Sequence, residues 1–151
     1  MNVVEVTWKK GAICAEILAA LPHWFGMSES NAAYIRDVES MPMFAVMEGE
    51  KPLGFLALGR PTVAAMEIHV LGVRPELHRG GIGRALVARA EAFARESGAR
   101  SLTVKTLSAR DHDPGYAKTR AFYAGVGFHE IEEFPELWSP DNPAVLMLKV
   151  L

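Results

Sequence analysis

The sequence predicts a single-domain α/β fold (α+β in the stricter usage), in which helices flank a mixed, largely antiparallel sheet. The chain has 151 residues, a length that fits one domain with one well-filled core. Strand-like and helix-like apolar periodicities follow one another in the order βααβββαβαββ, and no repeat or internal linker interrupts them. Hydrophobic residues make up 50% of the chain and charged residues 23%, which is the composition of an ordinary globular protein.

Five elements are predicted in the first part of the chain from the spacing of apolar residues. They are a strand over 3–8, helices over 12–21 and 28–39, and hairpin strands over 43–47 and 53–59. Pro22 ends the first helix, and Ser28 is the expected N-cap of the second. The five residues between the hairpin strands predict a longer loop than the tightest hairpins have.

Six more elements are predicted in the second part. They are a strand over 62–73, a helix that begins at 82, a strand over 101–106, a helix over 116–124, and closing strands over 127–131 and 144–150. Gly98 is the expected stop of the long helix. Pro135, Pro140 and Pro143 lie between the two closing strands and predict a long irregular connection there.

Charge and cysteine content exclude several classes of protein. The formal net charge of -2 gives no general attraction to nucleic acid or to an anionic membrane. Cys14 is the one cysteine, so an internal disulfide is excluded, and its apolar helical surroundings predict an inert buried thiol. No apolar run approaches the roughly 20 residues that span a bilayer, and the N-terminus lacks the layout of a signal peptide. A cytoplasmic location is therefore expected.

A basic, glycine-rich loop joins the central strand to the long helix. Gly80, Gly81 and Gly83 let an anion approach the main chain closely, and Arg79 and Arg84 add full positive charges. The N–H groups at a helix start have no intrahelical partner and lie at the positive end of the helix dipole. The stretch therefore predicts an anion-binding site, most naturally for a phosphate. A glycine-rich turn without a ligand is the alternative.

Residue types exclude two common phosphate loops. A P-loop ends in Gly-Lys-Ser/Thr, whereas Gly83 is followed by Arg84 and Ala85. A dinucleotide fingerprint needs Gly or Ala three residues after Gly83, and Leu86 occupies that place. These mismatches disfavour a nucleotide-binding protein.

The remaining pattern resembles the acyl-CoA loop of the GNAT N-acetyltransferase family, Gln/Arg-x-x-Gly-x-Gly/Ala. Residues 78–83 read His-Arg-Gly-Gly-Ile-Gly, with His78 in the Gln/Arg place and Arg79 beside it to supply charge. The resemblance implies the GNAT fold, acetyl-CoA or a short acyl-CoA as co-substrate, and an amine as acceptor. The residues that it implies for acetyl-CoA binding are Leu71, Gly72, Val73, His78, Arg79, Gly80, Gly81, Ile82, Gly83, Arg84, Tyr116 and Tyr123.

Members of this set are implied to act in different ways. The family's usual splay of the sheet would expose backbone groups of residues 71–73 to the pantetheine arm and place an N–H at the oxyanion. Tyr116 stands where the family often has the asparagine that fastens this arm. Residues 119–128 resemble the family's C-terminal motif, in which a tyrosine before a Gly-Phe pair protonates the CoA sulfur. Tyr123 falls in that place, and a phenol, neutral at pH 7, is a suitable proton donor. The alternative is a ring that only packs on the sheet.

The central strand offers two candidates for the base that deprotonates the amine. Glu67 and His69 share one face of a regular strand. Glu67 lies six residues before Val73, a spacing similar to that of the glutamate base in histone-acetylating relatives. His69 is nearer the expected thioester and titrates near neutrality, so it could act instead, directly or through a water. A third alternative is that both are ordinary polar residues.

The resemblance thus implies an N-acetyltransferase in which the amine attacks the bound thioester directly, without an acyl-enzyme. A non-catalytic acyl-CoA-binding regulatory module on the same scaffold is the alternative, and the presence of Glu67 and Tyr123 argues against it. No metal is expected, because the Asp-His-Asp segment over 111–113 lies in a Pro/Gly loop and is more typical of a turn. The expected partner is a small-molecule or peptide amine, with no nucleic acid and no membrane, and a homodimer stays open.

Overall fold

Seven strands and four helices follow one another in the predicted order, in a computed structural model that describes residues 1–151. The strands are β1 (Val3–Glu5), β2 (Met43–Glu48), β3 (Lys51–Gly59), β4 (Ala65–Val73), β5 (Ser101–Leu107), β6 (His129–Ser139) and β7 (Asn142–Val150). The helices are α1 (Lys10–Ala19), α2 (Ser28–Asp37), α3 (Ile82–Glu96) and α4 (Pro114–Gly125). Short 3₁₀ turns, Val38–Ser40 and Pro75–Leu77, follow α2 and β4.

All seven strands belong to one sheet, in the order β1-β2-β3-β4-β5-β7-β6. Antiparallel pairs join β1 to β2, β2 to β3, β5 to β7 and β7 to β6, whereas β4 and β5 are parallel. Helix α3 supplies the crossover that a parallel pair requires. The predicted α/β fold, with a mixed and largely antiparallel sheet flanked by helices, is confirmed. Within it, residues 1–59 with 69–93 form one compact unit, and residues 60–68 with 94–151 form another.

In the first unit, two glycines let helices approach the sheet closely. A Cβ at Gly72 of β4 would stand 2.7 Å from Cγ2 of Ile17 in α1. A Cβ at Gly54 of β3 would stand 2.9 Å from Cγ2 of Ile82, the first residue of α3. Contacts this short leave no room for a side chain. The end of β4 and the start of α3, which flank the glycine-rich loop, are therefore fixed by packing.

In the second unit, α3 ends and β5 begins where the sequence predicts. Gly98 has φ +83°, and its N–H donates to the Arg95 carbonyl at 3.0 Å. Ala99 N–H donates to the Ala94 carbonyl at 3.0 Å. These two bonds form the left-handed C-terminal cap that favours glycine. The predicted helix stop at Gly98 is confirmed.

Both hairpins are tighter than predicted. Residues 49–50 alone separate β2 from β3, because Gly49 adopts the left-handed conformation (φ +62°) that two-residue turns favour. The prediction of a long irregular connection between the closing strands is wrong, since only residues 140–141 separate β6 from β7. Pro135 lies inside β6, where the pairing with β7 shifts register. Because β6 is at the sheet edge, a residue without an N–H is tolerated there.

The start of α2 also differs from its prediction. Ser28 lies inside the helix and Met27 occupies the N-cap position, without a side-chain cap hydrogen bond. The helix ends at Asp37 and continues into the 3₁₀ turn, in which Val38 is fully buried. Burial of this one apolar residue fixes where α2 ends, and it sets the side chain of Asp37 at the helix terminus.

No helix of the chain is both long enough and apolar enough to cross a membrane.

Candidate active site

The loop after β4 depends on backbone conformations that few residues adopt. Gly81 has φ +88°, and Arg79 has φ +67° although it carries a side chain. A non-glycine residue in this region is strained, and such strain concentrates at functional sites. Gly80 N–H donates to the Leu77 carbonyl at 3.1 Å, and a Cβ at Gly80 would lie 3.0 Å from that oxygen. The loop therefore needs its glycines for conformation and for close approach.

The first turn of α3 presents its N–H groups to the loop. The bond that links loop and helix runs from Ala85 N–H to the Gly81 carbonyl, at 3.0 Å. The amides of Ile82, Gly83 and Arg84 precede it and are the unsatisfied donors of the helix start. They lie at the positive end of the helix dipole, and the side chain of Arg84 is exposed beside them. This set of donors fits a phosphate or pyrophosphate group.

His78 is exposed, and it connects the loop to the end of β4. Its Nε2 lies 2.8 Å from the carbonyl of Val73, and because a carbonyl only accepts, Nε2 donates this hydrogen bond. Its ring also meets Trp24 edge to face, with 5.4 Å between the centroids. One ring nitrogen thus joins the loop to the last residue of β4. Arg79 and Arg84, both exposed, are the charges that the loop offers to an anion.

The parallel ladder of β4 ends before the strand does. Residues 65–68 of β4 pair with 101–104 of β5, and Ile68–Val104 is the last pair. β4 continues through His69 to Val73 beyond that pair. The backbone of residues 71–73, for which the family resemblance implies contact with the pantetheine arm, therefore lies outside this ladder. The Val73 carbonyl is the acceptor for His78, so it has an internal partner.

Glu67 is held in an ion pair. Lys105 Nζ lies 2.7 Å from its Oε2. The side chain of Glu67 is 18% exposed and that of Lys105 is 37% exposed. The contact follows from the parallel register, which sets Glu67 opposite Thr103, two residues before Lys105 on β5. The carboxylate of Glu67 thus has a full positive charge as its nearest partner.

His69 is held by two side chains of helix α2. Its Nε2 lies 3.1 Å from Oδ2 of Asp37, and its ring meets the ring of Tyr34 edge to face, with 5.4 Å between the centroids. The side chains of His69 and Asp37 are 27% and 39% exposed, respectively. Asp37 is the last residue of α2 and lies 32 positions earlier in the chain than His69. An oriented imidazole with a carboxylate on one nitrogen is a common arrangement for proton transfer.

Helix α4 begins with an aspartate cap. Asp113 Oδ2 accepts the N–H of Tyr116 at 2.9 Å, and Asp111 Oδ1 accepts the N–H of Asp113 at 2.9 Å. Both carboxylates therefore bind backbone amides, as they do in turns and N-caps. The interpretation of residues 111–113 as turn chemistry is confirmed. The cap fixes the start of the helix that carries Tyr116 and Tyr123.

Tyr123 is buried near the other end of α4, with 5% of its surface exposed. Its ring packs edge to face between Phe122 and Phe128, with centroids at 5.3 and 5.5 Å. Phe128 N–H donates to the Tyr123 carbonyl at 3.0 Å, and Gly127 provides the positive φ of +105° that the turn needs. The orientation of the tyrosine ring is therefore locked by aromatic packing.

The sequence profile of the Acetyltransferase (GNAT) family matches residues 13–128. The chain belongs to the GNAT acetyltransferase family. The match extends from α1 to the residue before β6 and includes both the loop and Tyr123. An uncharacterised N-acetyltransferase of Chlorobaculum tepidum is 35% identical over 89 residues, which are 57% of this chain and 50% of that protein. The matched segment thus spans about half the length of the curated relative.

Solved structures share the GNAT fold across almost the whole chain. A GNAT-family protein of Desulfovibrio desulfuricans has a TM-score of 0.85 at 17% identity, over 99% of this chain and 98% of that one. An aminoglycoside 6'-N-acetyltransferase solved with coenzyme A has a TM-score of 0.78 at 18% identity, over 99% and 97%. A GNAT acetyltransferase of Elizabethkingia anophelis solved with acetyl-CoA has a TM-score of 0.76 at 15% identity, over 99% and 97%. At these identities the likeness establishes the fold.

In this GNAT protein, burial explains the inertness predicted for Cys14. The thiol is fully buried in α1, and desolvation raises its pKa from 9.0 to about 12. A thiol that stays protonated is a poor nucleophile at neutral pH. Acyl transfer through a cysteinyl thioester is therefore disfavoured.

The partners of the two candidate bases could not be found from the sequence alone. Asp37 and Lys105, the partners of His69 and Glu67, carry no motif and lie 32 and 38 positions away from those residues, respectively. The strand period gives one weak signal for Lys105, since it shares a face with Thr103. Asp37 has no such signal, because its position depends on how α2 packs.

Proposed function

We propose that this GNAT protein is an N-acetyltransferase that transfers an acetyl group from acetyl-CoA to a primary amine, by direct attack in a ternary complex. The observation that carries the proposal is the start of α3. There, unsatisfied amides of residues 82–84, a left-handed Gly81 and exposed arginines form a cradle for a pyrophosphate. Two structural neighbours, solved with coenzyme A and with acetyl-CoA, support this choice of ligand.

The binding roles follow the order of the chain. The amides of residues 82–84 and the guanidinium groups of Arg79 and Arg84 would hold the pyrophosphate. The backbone of residues 71–73, beyond the last β4–β5 pair, would bind the pantetheine arm, and an N–H there would meet the oxyanion. His78 would act by bracing the loop through Val73. Tyr116, half-buried in the first turn of α4, would contact the arm.

The chemistry requires a base, an oxyanion donor and an acid. Acetyl-CoA supplies the activated thioester carbonyl. A base removes the proton of the attacking amine, for which Glu67 and His69 are the candidates. The phenol of Tyr123, with its ring locked between Phe122 and Phe128, would protonate the departing thiolate. The buried thiol of Cys14 favours direct transfer over an acyl-enzyme.

The acceptor is proposed to be a small-molecule or peptide amine. Structural neighbours include aminoglycoside 6'-N-acetyltransferases, so an aminoglycoside is one member of a suitable test panel. The other members are a polyamine, free amino acids, and short peptides with a free N-terminus or a lysine. This panel spans the sizes and charges that the acceptor class allows.

A thiol-release assay with this panel tests the proposal. We expect CoA release that depends on both the protein and one amine, with an acetylated product seen by mass spectrometry. Calorimetry with CoA runs in parallel. Tight CoA binding without turnover of any panel amine would support the acyl-CoA-binding regulatory module instead. Absence of CoA binding would contradict the assignment of the loop.

A further inference from the structure

The contact between His69 and Asp37 has the geometry of a proton-transfer pair. Asp37 Oδ2 lies 3.1 Å from His69 Nε2. A carboxylate only accepts, so in the neutral imidazole Nε2 carries the hydrogen and donates it to Asp37. Nδ1 then carries the lone pair. The pair therefore leaves one defined nitrogen of His69 as a proton acceptor.

Helix α2 fixes the ring in this orientation. Asp37 is its last residue, and the fully buried Val38 that follows anchors this end of the helix in the core. Tyr34, one turn earlier, places its ring edge to face with the imidazole at 5.4 Å. A ring held by a hydrogen bond on one edge and an aromatic contact has little rotational freedom. Catalytic groups need such support to keep a productive geometry.

His69 also occupies the position on β4 where the strand leaves its parallel ladder. Ile68–Val104 is the last β4–β5 pair, and His69 is the next residue. Glu67, the other candidate on this face, has its carboxylate in an ion pair with Lys105 at 2.7 Å. A proton accepted by Glu67 would break that pair, whereas a proton accepted by His69 would create an imidazolium beside Asp37. The carboxylate of Glu67 is therefore already engaged by Lys105, whereas Nδ1 of His69 keeps its lone pair.

We propose that His69 Nδ1 takes the proton of the attacking amine, and that Asp37 is a positioning residue that holds the imidazole in the Nε2–H form. This deepens the proposed N-acetyltransferase function and rests on it. The amine nitrogen forms the C–N bond to the thioester carbonyl and gives its proton to Nδ1. The C–S bond then breaks, and the thiolate takes a proton from Tyr123. The imidazolium releases its proton to solvent, and Tyr123 regains one.

The structure places two titratable side chains of α2 against the imidazole. Asp37 and the phenol of Tyr34 face it from α2. Glu67 lies two residues away on β4 and is paired with Lys105. Variants of Asp37, Glu67 and Lys105 therefore test these two ion pairs separately.

A nuclear magnetic resonance experiment tests the pair without turnover. In the ¹⁵N-labelled wild type, at a pH where the imidazole is neutral, long-range ¹⁵N–¹H spectra should show His69 almost entirely as the Nε2–H form. The His69→Gln spectrum identifies the signal. Asp37→Ala should reduce that preference to the mixture seen for a free imidazole. A wild-type Nδ1–H form, or the same tautomer ratio in both proteins, would overturn the proposal.

Kinetics with acetyl-CoA and the panel amine that is turned over fastest test the role. His69→Gln should lower kcat/KM by about 10²- to 10⁴-fold. Asp37→Ala should lower it by about 10- to 100-fold, with the acetyl-CoA Kd within about threefold of wild type. The double variant should be no worse than His69→Gln, because Asp37 acts only through the imidazole. Independent, multiplying losses would overturn the proposal.

Two further variants separate positioning from folding. Glu39→Gln removes a carboxylate that binds Gly11 N–H from the adjoining 3₁₀ turn, and it should leave kcat/KM within about twofold. If Asp37→Ala does not fold, Asp37→Asn supplies the test, since it keeps the shape and an acceptor oxygen and should retain more activity than Asp37→Ala. If no panel amine is acetylated, the proposed function fails. The tautomer measurement needs no turnover, so it still tests whether Asp37 holds His69 in the Nε2–H form.

Discussion

Two regions of the molecule differ in the groups that they offer for chemistry. One is the loop at residues 79–84, and the other is the part of β4 that carries Glu67 and His69. The loop acts through backbone: its donors are amides at the start of α3, and its conformation depends on Gly81 at φ +88°. The β4 residues act through side chains whose partners, Lys105 and Asp37, come from β5 and α2.

This difference decides how easily each region is recognised. A site made of backbone groups can be recognised from consecutive residues, because turn conformation and helix polarity are local properties. A side-chain contact between residues about thirty or more positions apart can be recognised only once the fold is known. Changes in the loop should therefore affect ligand affinity, and changes on β4 should affect the chemical step.

The largest effect on CoA affinity is expected from the loop. Gly83→Asp and Gly81→Asp should each weaken CoA binding by about 100-fold or more, because a carboxylate would face the amides that we propose to bind the pyrophosphate. Gly49→Asp is the matched control, since Gly49 also has positive φ and lies in an open hairpin turn. Isothermal calorimetry on folded variants measures this. Wild-type CoA affinity in either loop variant would contradict the assignment of the loop.

Tyr123→Phe tests whether a side chain can affect rate without affinity. We expect kcat to fall by roughly ten- to a thousandfold with acetyl-CoA affinity within a few-fold, because the interaction forms only as the thiolate leaves. The ring keeps its packing on Phe122 and Phe128. Tyr116→Phe is the contrasting variant and should alter affinity rather than kcat. The Tyr123→Phe defect should shrink with a donor whose thiol is more acidic, and an unchanged kcat would leave Tyr123 a packing residue.

Glu67→Gln should have a smaller effect than His69→Gln. We expect kcat/KM to fall by less than about tenfold, since in our proposal the amine's proton goes to His69. Stability should change by at most about 1 kcal/mol, because the pair with Lys105 is partly exposed to solvent. Lys105→Gln is the control for the pair. A larger loss in Glu67→Gln that is partly recovered at high pH would make Glu67 the base and would reverse the assignment.

Cys14→Ala belongs to neither region and should leave kcat unchanged. Its effect is expected on stability at high pH. The folded thiol holds its proton up to about pH 12, whereas an unfolded thiol releases it near 9.0, so wild-type stability falls as pH rises from 9 to 12. Denaturant unfolding of both proteins from pH 7 to 11 should show a steeper decline in the wild type. Parallel curves, or loss of kcat in Cys14→Ala, would refute this account.

The element order and the glycine-rich loop were accessible from the sequence because both depend on near neighbours. Apolar periodicity predicts each strand and helix, and the glycines with Arg79 and Arg84 mark the loop. The errors fall where a distant partner decides the local structure. Pro135 lies inside β6 because that strand is at the sheet edge. Val38 fixes the end of α2 because the core buries it.

The choice between Glu67 and His69 shows the same limit. Their spacing on β4 is a property of the sequence, and it left both residues open as the base. The parallel register brings Lys105 to Glu67, and the packing of α2 brings Asp37 to His69. Charge interactions depend on the distance in space between the groups and not on their separation along the chain. The sequence therefore determines which groups can titrate on this strand, and the tertiary structure decides which charge each of them meets.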